Sequence, residues 1–148
     1  MTKLQRKNDT CNIYAQYLST FEWTHFCTFT TPYTLTLKSA RRLMGKYHDD
    51  LKKAGKAPFF WAAEPFDCKE GYHTHALLIA PEAYQFKHLV DLWQTATGVK
   101  GKKYIDEKGV ERKMHSRVEL KRYNPKLGAA HYVGKYITKT GSDYDLLT

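Results

Sequence analysis

The sequence contains no apolar run of transmembrane length, and its opening residues, Thr2-Lys3-Leu4-Gln5-Arg6-Lys7, carry no apolar core of the kind a secretory signal needs. Both absences predict a protein that makes no use of a membrane and stays in the cytoplasm. Cysteine is scarce: Cys11, Cys27 and Cys68 are odd in number and scattered, which argues against a disulfide framework and suits reduced thiols. There is no C-x-x-C pair, so a structural zinc site would have to be built from Cys68 and nearby histidines. A glycine-rich nucleotide-binding loop is missing, which excludes a helicase motor within this sequence. Repeats, low-complexity tracts and linkers are missing as well. With 148 residues, 42% of them hydrophobic, there is core for one domain and no room for a second of ordinary size. The ends, 1–9 and 141–148, read as loose.

Acidic residues are also in short supply. Fifteen Asp and Glu stand against 24 Lys and Arg, a formal net charge of +9, which points to a polyanionic partner whose counterions are released on binding. The positive charge is concentrated late in the chain, in Lys100/Lys102/Lys103, Arg112/Lys113 and Lys121/Arg122. Candidate nucleic-acid contacts are Lys102, Lys103, Arg112, Lys113, Arg117, Lys121, Arg122 and Lys139. Tyr104, His115 and Tyr123 are interleaved with them and offer rings to unpaired bases. Between two basic arms, Asp106-Glu107-Lys108-Gly109 is a turn signal, so Val99 to Ser116 reads as a β-hairpin over DNA or as a solvated basic loop. Arg41/Arg42 and Lys52/Lys53 read as the wet face of an amphipathic helix.

Periodicity gives a short helix around Ile13 to Ser19, strand Glu22 to Thr31, helix Leu35 to Ala54, and strands Phe59 to Glu64 and Tyr72 to Ile79. Helix Tyr84 to Thr97, the basic hairpin, strand Arg117 to Lys121 and helix Lys126 to Lys139 follow. The expected class is α+β: an antiparallel sheet of four to five strands with helices packed on one face and histidines on the open face.

Those histidines lie in Tyr72-His73-Thr74-His75-Ala76-Leu77-Leu78-Ile79. Side chains alternate across a strand, so His73 and His75 leave the same face, close enough to hold one cation. A third ligand is sought on the preceding strand, where Glu64 comes opposite the histidines if the two strands pair through the turn at Gly71. Glu70, in that turn, is the competing acid. His/His/Glu suits Mg²⁺ or Mn²⁺ with open positions for a phosphate oxygen and water, and zinc is chemically acceptable. The competing reading is a pair of half-buried strand histidines hydrogen-bonded to neighbours.

Leu127, Ala130, Val133, Tyr136 and Ile137 recur at helical spacing after the start signal Asn124-Pro125. Residues four apart on a helix differ by about 40° in direction and roughly 6 Å in height, so Tyr132 and Tyr136 share a face flanked by Lys135 and Lys139. A phenol is a weak nucleophile at its ordinary pKa, and a neighbouring lysine or divalent metal activates it by favouring the phenolate. Taken alone, the two tyrosines read as packing aromatics and the lysines as solvated charges; the order and combination of motifs shift that reading.

In order, Phe26-Cys27-Thr28-Phe29-Thr30, His73-Thr74-His75 and Tyr132-Val133-Gly134-Lys135-Tyr136 resemble the three motifs of the HUH endonucleases that initiate rolling-circle replication. The doubled tyrosine is similar to that of the two-tyrosine gene A initiators of small single-stranded DNA phages. Thr74 is less hydrophobic than the usual middle residue of the histidine motif, though Thr is an ordinary strand residue. The resemblance covers about Phe26 to Lys139.

It implies a ferredoxin- or RRM-like nuclease domain that nicks and joins single-stranded DNA, or an extruded hairpin origin, in a prokaryotic host. His73, His75 and Glu64 would hold the divalent ion, Tyr132 or Tyr136 would form a 5′-phosphotyrosine, and Lys135 would stabilise phosphate or phenolate. Tyr132 is favoured as the first nucleophile. A separate helicase and polymerase would be partners. Within the resemblance a single-strand transposase is the alternative; a relaxase is disfavoured because here the tyrosines follow the histidines. Outside it stands a non-catalytic nucleic-acid-binding module with a ferredoxin-like sheet.

Overall fold

The computed structural model describes residues 2–128, 131 and 143–148, the side chains of residues 7, 8 and 11 excepted. In chain order the elements are α1 (Lys3–Leu18), β1 (His25–Phe29), α2 (Leu37–Lys52), β2 (Phe59–Pro65), β3 (Tyr72–Leu78) and α3 (Phe86–Thr97). A small hairpin of β4 (Lys103–Ile105) and β5 (Glu111–Lys113) follows, then β6 (Val118–Arg122) and β7 (Asp143–Leu147). Strands β1, β2, β3, β6 and β7 form one antiparallel sheet in the order β6-β1-β3-β2-β7. This is the expected α+β class.

Alternation sorts the strand residues into two layers. Cys27, Phe29, Phe59, Trp61, Ala63, Ala76 and Leu78 face α2 and α3 and are buried with them. On α2, Ala40, Leu43, Met44, Tyr47 and Leu51 form an apolar stripe at helical spacing. Thr36 caps its start by accepting a hydrogen bond from the Ser39 N–H. Leu89, Trp93 and Ala96 do the same work on α3, and the Tyr47 hydroxyl donates to the Leu89 carbonyl at 3.0 Å, tying the helices together.

The opposite face carries Phe60 and Leu77, which meet Leu18, Trp23, Tyr14, Tyr144 and Leu146. Helices α2 and α3 thus share one face, as the sequence predicts, while α1 is an addition on the other, capping one end of the histidine face. It is also longer than the helix expected at Ile13 to Ser19. Thr2 and Gln5 form a reciprocal capping box, and the polar turns that follow give no apolar periodicity to read.

The last residues, read as loose, instead include β7, which pairs with β2 from Phe59↔Leu147 to Ala63↔Asp143. Asp143 and Asp145 project toward α2, where Arg41 binds them at 2.7 and 3.1 Å while lying over the Trp61 ring at 5.1 Å. Arg41 is therefore not a merely solvated helix charge. Lys52 and Lys53 do keep to the wet side, in i,i+3 pairs with Asp49 and Asp50.

The expected hairpin forms, and a buried polar clamp mounts it. Gln94 of α3 donates to the Ser116 carbonyl at 2.6 Å and accepts from the Ser116 N–H at 2.7 Å, while the Thr97 and Ser116 hydroxyls meet at 2.7 Å. In the turn, Asp106 accepts from the N–H groups of Lys108 and Val110 and from Arg112 Nε, and Gly109 takes the positive φ of 77°. Of the expected helix Lys126 to Lys139, most lies outside the described residues.

Candidate metal centre

The β2–β3 pairing decides the site. Glu64 is opposite His73 and Ala62 opposite His75, so Glu64, His73 and His75 all leave the sheet on the face that α2 and α3 do not cover. Gly71 lets the connecting turn close. Its φ is 98°, and a Cβ there would come within 3.0 Å of the Thr34 side chain and 3.3 Å of the Leu35 nitrogen.

Glu64 Oε2 lies 3.0 Å from His75 Nε2 and 3.6 Å from His73 Nε2. One donor atom from each residue falls within 4.8 Å of the others. Ligands held at about 2.0–2.2 Å from one ion stand roughly 3–4 Å apart, so these three side chains can hold a metal ion with little movement. Two imidazoles and one carboxylate leave other coordination positions open. Glu70 is exposed in the turn, and neither it nor Cys68 joins this group among the described residues.

Aromatic rings fix the histidines. Phe26 stacks on His75 with centroids 5.7 Å apart and planes 3° from parallel, and the Phe66 ring lies 4.7 Å from that of His73 and carries Lys69 Nζ over it, 4.3 Å from its centroid. The three candidate ligands keep only 11–17% of their side-chain surface exposed, so charge placed between them is poorly screened. Behind His75, its β1 partner Thr28 puts Oγ1 3.1 Å from Nδ1. A hydroxyl both donates and accepts, so it serves either imidazole tautomer. With Nε2–H donating to Glu64, Thr28 donates to Nδ1. With Nε2 turned to a cation, Nδ1–H donates to Thr28. Sequence reasoning gave Thr28 no role. The signal was present in Phe26, Thr28 and Thr30, which share one face of an otherwise apolar strand.

Thr74, between the histidines, faces the opposite way. It is fully buried against the helix layer, and its hydroxyl has no hydrogen-bond partner among the described residues. Burial likewise pushes the Cys27 thiol well above its ordinary pKa, which makes it a packing residue and not a nucleophile.

A cavity of about 310 Å³ opens beside His73, lined by Thr28, Thr30, Phe66, Arg117 and Glu119 as well. Arg117 is thereby brought to the site. Lys121, on the same face of β6, pairs with Glu119 at 3.2 Å, whereas Arg122, opposite His25, points to the helix side. Lys102, Lys103, Arg112 and Lys113 belong to the hairpin arm or its base. Tyr132, Lys135, Tyr136 and Lys139 lie outside the described residues. A larger cavity of about 580 Å³ sits between Tyr17, Phe21, Lys56, Pro58 and Thr148, with no metal-donor side chain in its wall, and is not part of this site. Among the described residues no helix is long and apolar enough to cross a membrane. No protein-family model, curated protein or solved structure matches this chain.

Proposed function

We propose that this protein is a metal-dependent enzyme that nicks and rejoins single-stranded DNA through a tyrosine, initiating rolling-circle replication of a phage or plasmid. The observation that carries the reading is the convergence of Glu64, His73 and His75 on an open sheet face, beside a cavity reached by Arg117. The element order β1-α2-β2-β3-α3-β6 supports it, being the βαββαβ plan of the family that the motifs resemble. The charge of +9 supports a nucleic-acid substrate.

Under this reading His73, His75 and Glu64 hold Mg²⁺ or Mn²⁺, which when bound polarises the scissile phosphate and offsets charge building on its oxygens. Arg117 binds a phosphate next to the one attacked. The phenolate oxygen of Tyr132 or Tyr136 bonds to phosphorus, the bond from phosphorus to the 3′ oxygen breaks, and that oxygen takes a proton to leave a free 3′-hydroxyl. Lys135 favours the phenolate before attack. The 5′-phosphotyrosine keeps the bond energy, so the reverse attack rejoins the strand. With two tyrosines, one holds a strand while the other attacks the next junction. Unwinding and synthesis fall to a separate helicase and polymerase.

One observation favours a metal-free reading as a non-catalytic nucleic-acid-binding module: Glu64 already hydrogen-bonds His75 at 3.0 Å. Incubation with a diverse pool of labelled single-stranded oligonucleotides, in Mn²⁺ or in EDTA, separates the two. The nicking reading expects a covalent adduct in Mn²⁺ alone, located by mass analysis on Tyr132 or Tyr136 and lost in the Tyr132→Phe/Tyr136→Phe double variant. Tight binding without any adduct would transfer the assignment to the binding module. A metal-dependent adduct formed only on transposon-end sequences would make it a transposase.

A further inference from the structure

The metal-side cavity and the hairpin arm are joined by the same two chain segments. Thr28 lies in β1 and Thr30 follows the strand toward Pro32, while His115, Ser116 and Arg117 lead into β6. Thr30 and Arg117 line the cavity beside His73, while Pro32 and His115, each two residues further along, line a second one of about 500 Å³ together with Tyr104, Lys113 and Met114. Two residues of extended chain span about 7 Å, the rise of roughly two stacked nucleotides. The second cavity therefore neighbours the first on its Arg117 side, within reach of a nucleotide next to one held beside His73.

Its chemistry suits an unpaired nucleotide. Tyr104 is 45% exposed on the arm and offers an aromatic ring, as does His115. On the other side of Lys113 and Met114 a third cavity, of about 320 Å³, gathers Lys100 and Lys102 with Lys113 against one carboxylate, Asp91. Two of the arm's cations are already matched within it: Lys103 to Glu111 at 3.1 Å and Arg112 to Asp106 at 2.6 Å. Lys100, Lys102 and Lys113 make no ion pair among the described residues, which leaves them for phosphates. The arm is also firmly mounted. The Gln94 and Thr97 clamp on Ser116 is joined at the arm's base by the Met114 N–H donating to the Lys102 carbonyl at 2.8 Å, and across the cleft Trp93 Nε1 donates to the Thr30 carbonyl at 2.9 Å and the Tyr33 hydroxyl to the Thr97 carbonyl at 3.1 Å, holding the segment after β1 to α3. A backbone anchored beneath the ring lowers the freedom lost when a base stacks on it.

We infer that the cleft between the hairpin arm and the ends of β1 and β6 is a base-binding subsite for single-stranded DNA. There one unpaired base near the scissile phosphate stacks on Tyr104 and His115 while Lys113 and Lys102 take the adjoining phosphates. The inference rests on the single-stranded DNA substrate proposed above, but it concerns binding and needs no metal.

The test is fluorescence anisotropy of the full chain with random single-stranded 20-mers and with the matching duplex, all in EDTA. Tyr104→Ala is expected to weaken single-strand binding about 5- to 100-fold, with Tyr104→Phe near wild type. Lys113→Ala is expected to lower the slope of log affinity against log salt by about 0.7. Single-strand affinity unchanged by Tyr104→Ala, preference for the duplex, or no binding by the wild type would each overturn the subsite. Measuring binding in EDTA keeps the two ideas apart. If Tyr104→Ala weakens it as expected, the subsite stands whether or not an adduct ever forms. If adducts form and Tyr104→Ala binds normally, the nicking reading stands and the subsite falls.

Discussion

Glu64, His73 and His75 share one face because a strand alternates with period two and a hairpin sets residues opposite each other. That much needs only local sequence, which is why the three donors were legible before the fold was known. Thr28 was not, because its partner His75 lies 47 residues away and only the β1–β3 pairing brings them to 3.1 Å. The contact makes Thr28 a positioning residue for the candidate ligand His75, with a direct check in metal titration calorimetry with Mn²⁺. Thr28→Val, which can neither donate nor accept, is expected to weaken Mn²⁺ binding about 10- to 100-fold. Thr28→Ser should restore most of the affinity. Equal affinity in Val and wild type would show that the hydroxyl does not orient His75.

At the scale of elements, α2, α3, β2 and β3 follow from strong apolar periodicity, and β7 does not. Asp143-Tyr144-Asp145 has poor strand propensity, and its carboxylates are tolerable beside the sheet only because Arg41 answers both from α2, 102 and 104 residues away. This pairing also holds the Arg41 guanidinium above its ordinary pKa, chiefly through the Asp143 hydrogen bond. The Arg41 side chain is half exposed, so solvent screening takes most of the Coulomb energy. Arg41→Ala is expected to cost about 1 kcal/mol, counting the ion pairs and the contact over Trp61 together. The loss should concentrate in β7: amide exchange of residues 143–147 should quicken several-fold in the variant while that of β1 and β3 stays put. Uniform quickening across the sheet would mean that Arg41 supports the whole core and not that edge.

For the whole molecule, acid is the informative stress. His48 is buried, 3% exposed, with Nε2 2.8 Å from the Ala57 carbonyl, and burial pulls its pKa below the ordinary 6.5. His25 shifts the same way, first through burial and then through the nearby charge of Arg122. A group whose pKa is depressed by folding binds its proton more readily when unfolded. The stability it lends is complete above about pH 6.5 and is lost as pH falls through the lower folded value. The melting temperature should therefore drop between pH 7.5 and 5.5, and His48→Gln, which keeps a donor toward Ala57, should flatten that slope. Parallel slopes in variant and wild type would remove His48 as the cause. The hairpin arm should keep its shape over the same range, since the Arg112 hydrogen bond holds the Asp106 carboxyl below its usual pKa.

The mixed α+β class, the positions of the main strands and helices, the basic arm and the three candidate metal donors were all legible in the chain before any long-range contact was known. Each of these depends on periodicity, turn residues or charge within a short window. That α1 caps one end of the histidine face and that the last residues close the sheet as β7 emerged from long-range packing alone. The same is true of Thr28 standing behind His75 and of the buried clamp of Gln94, Thr97 and Ser116 that mounts the arm. Those features are contacts between residues far apart in the chain, and a buried hydrogen bond or a matched charge gains its energy only where folding has excluded water and brought both partners together.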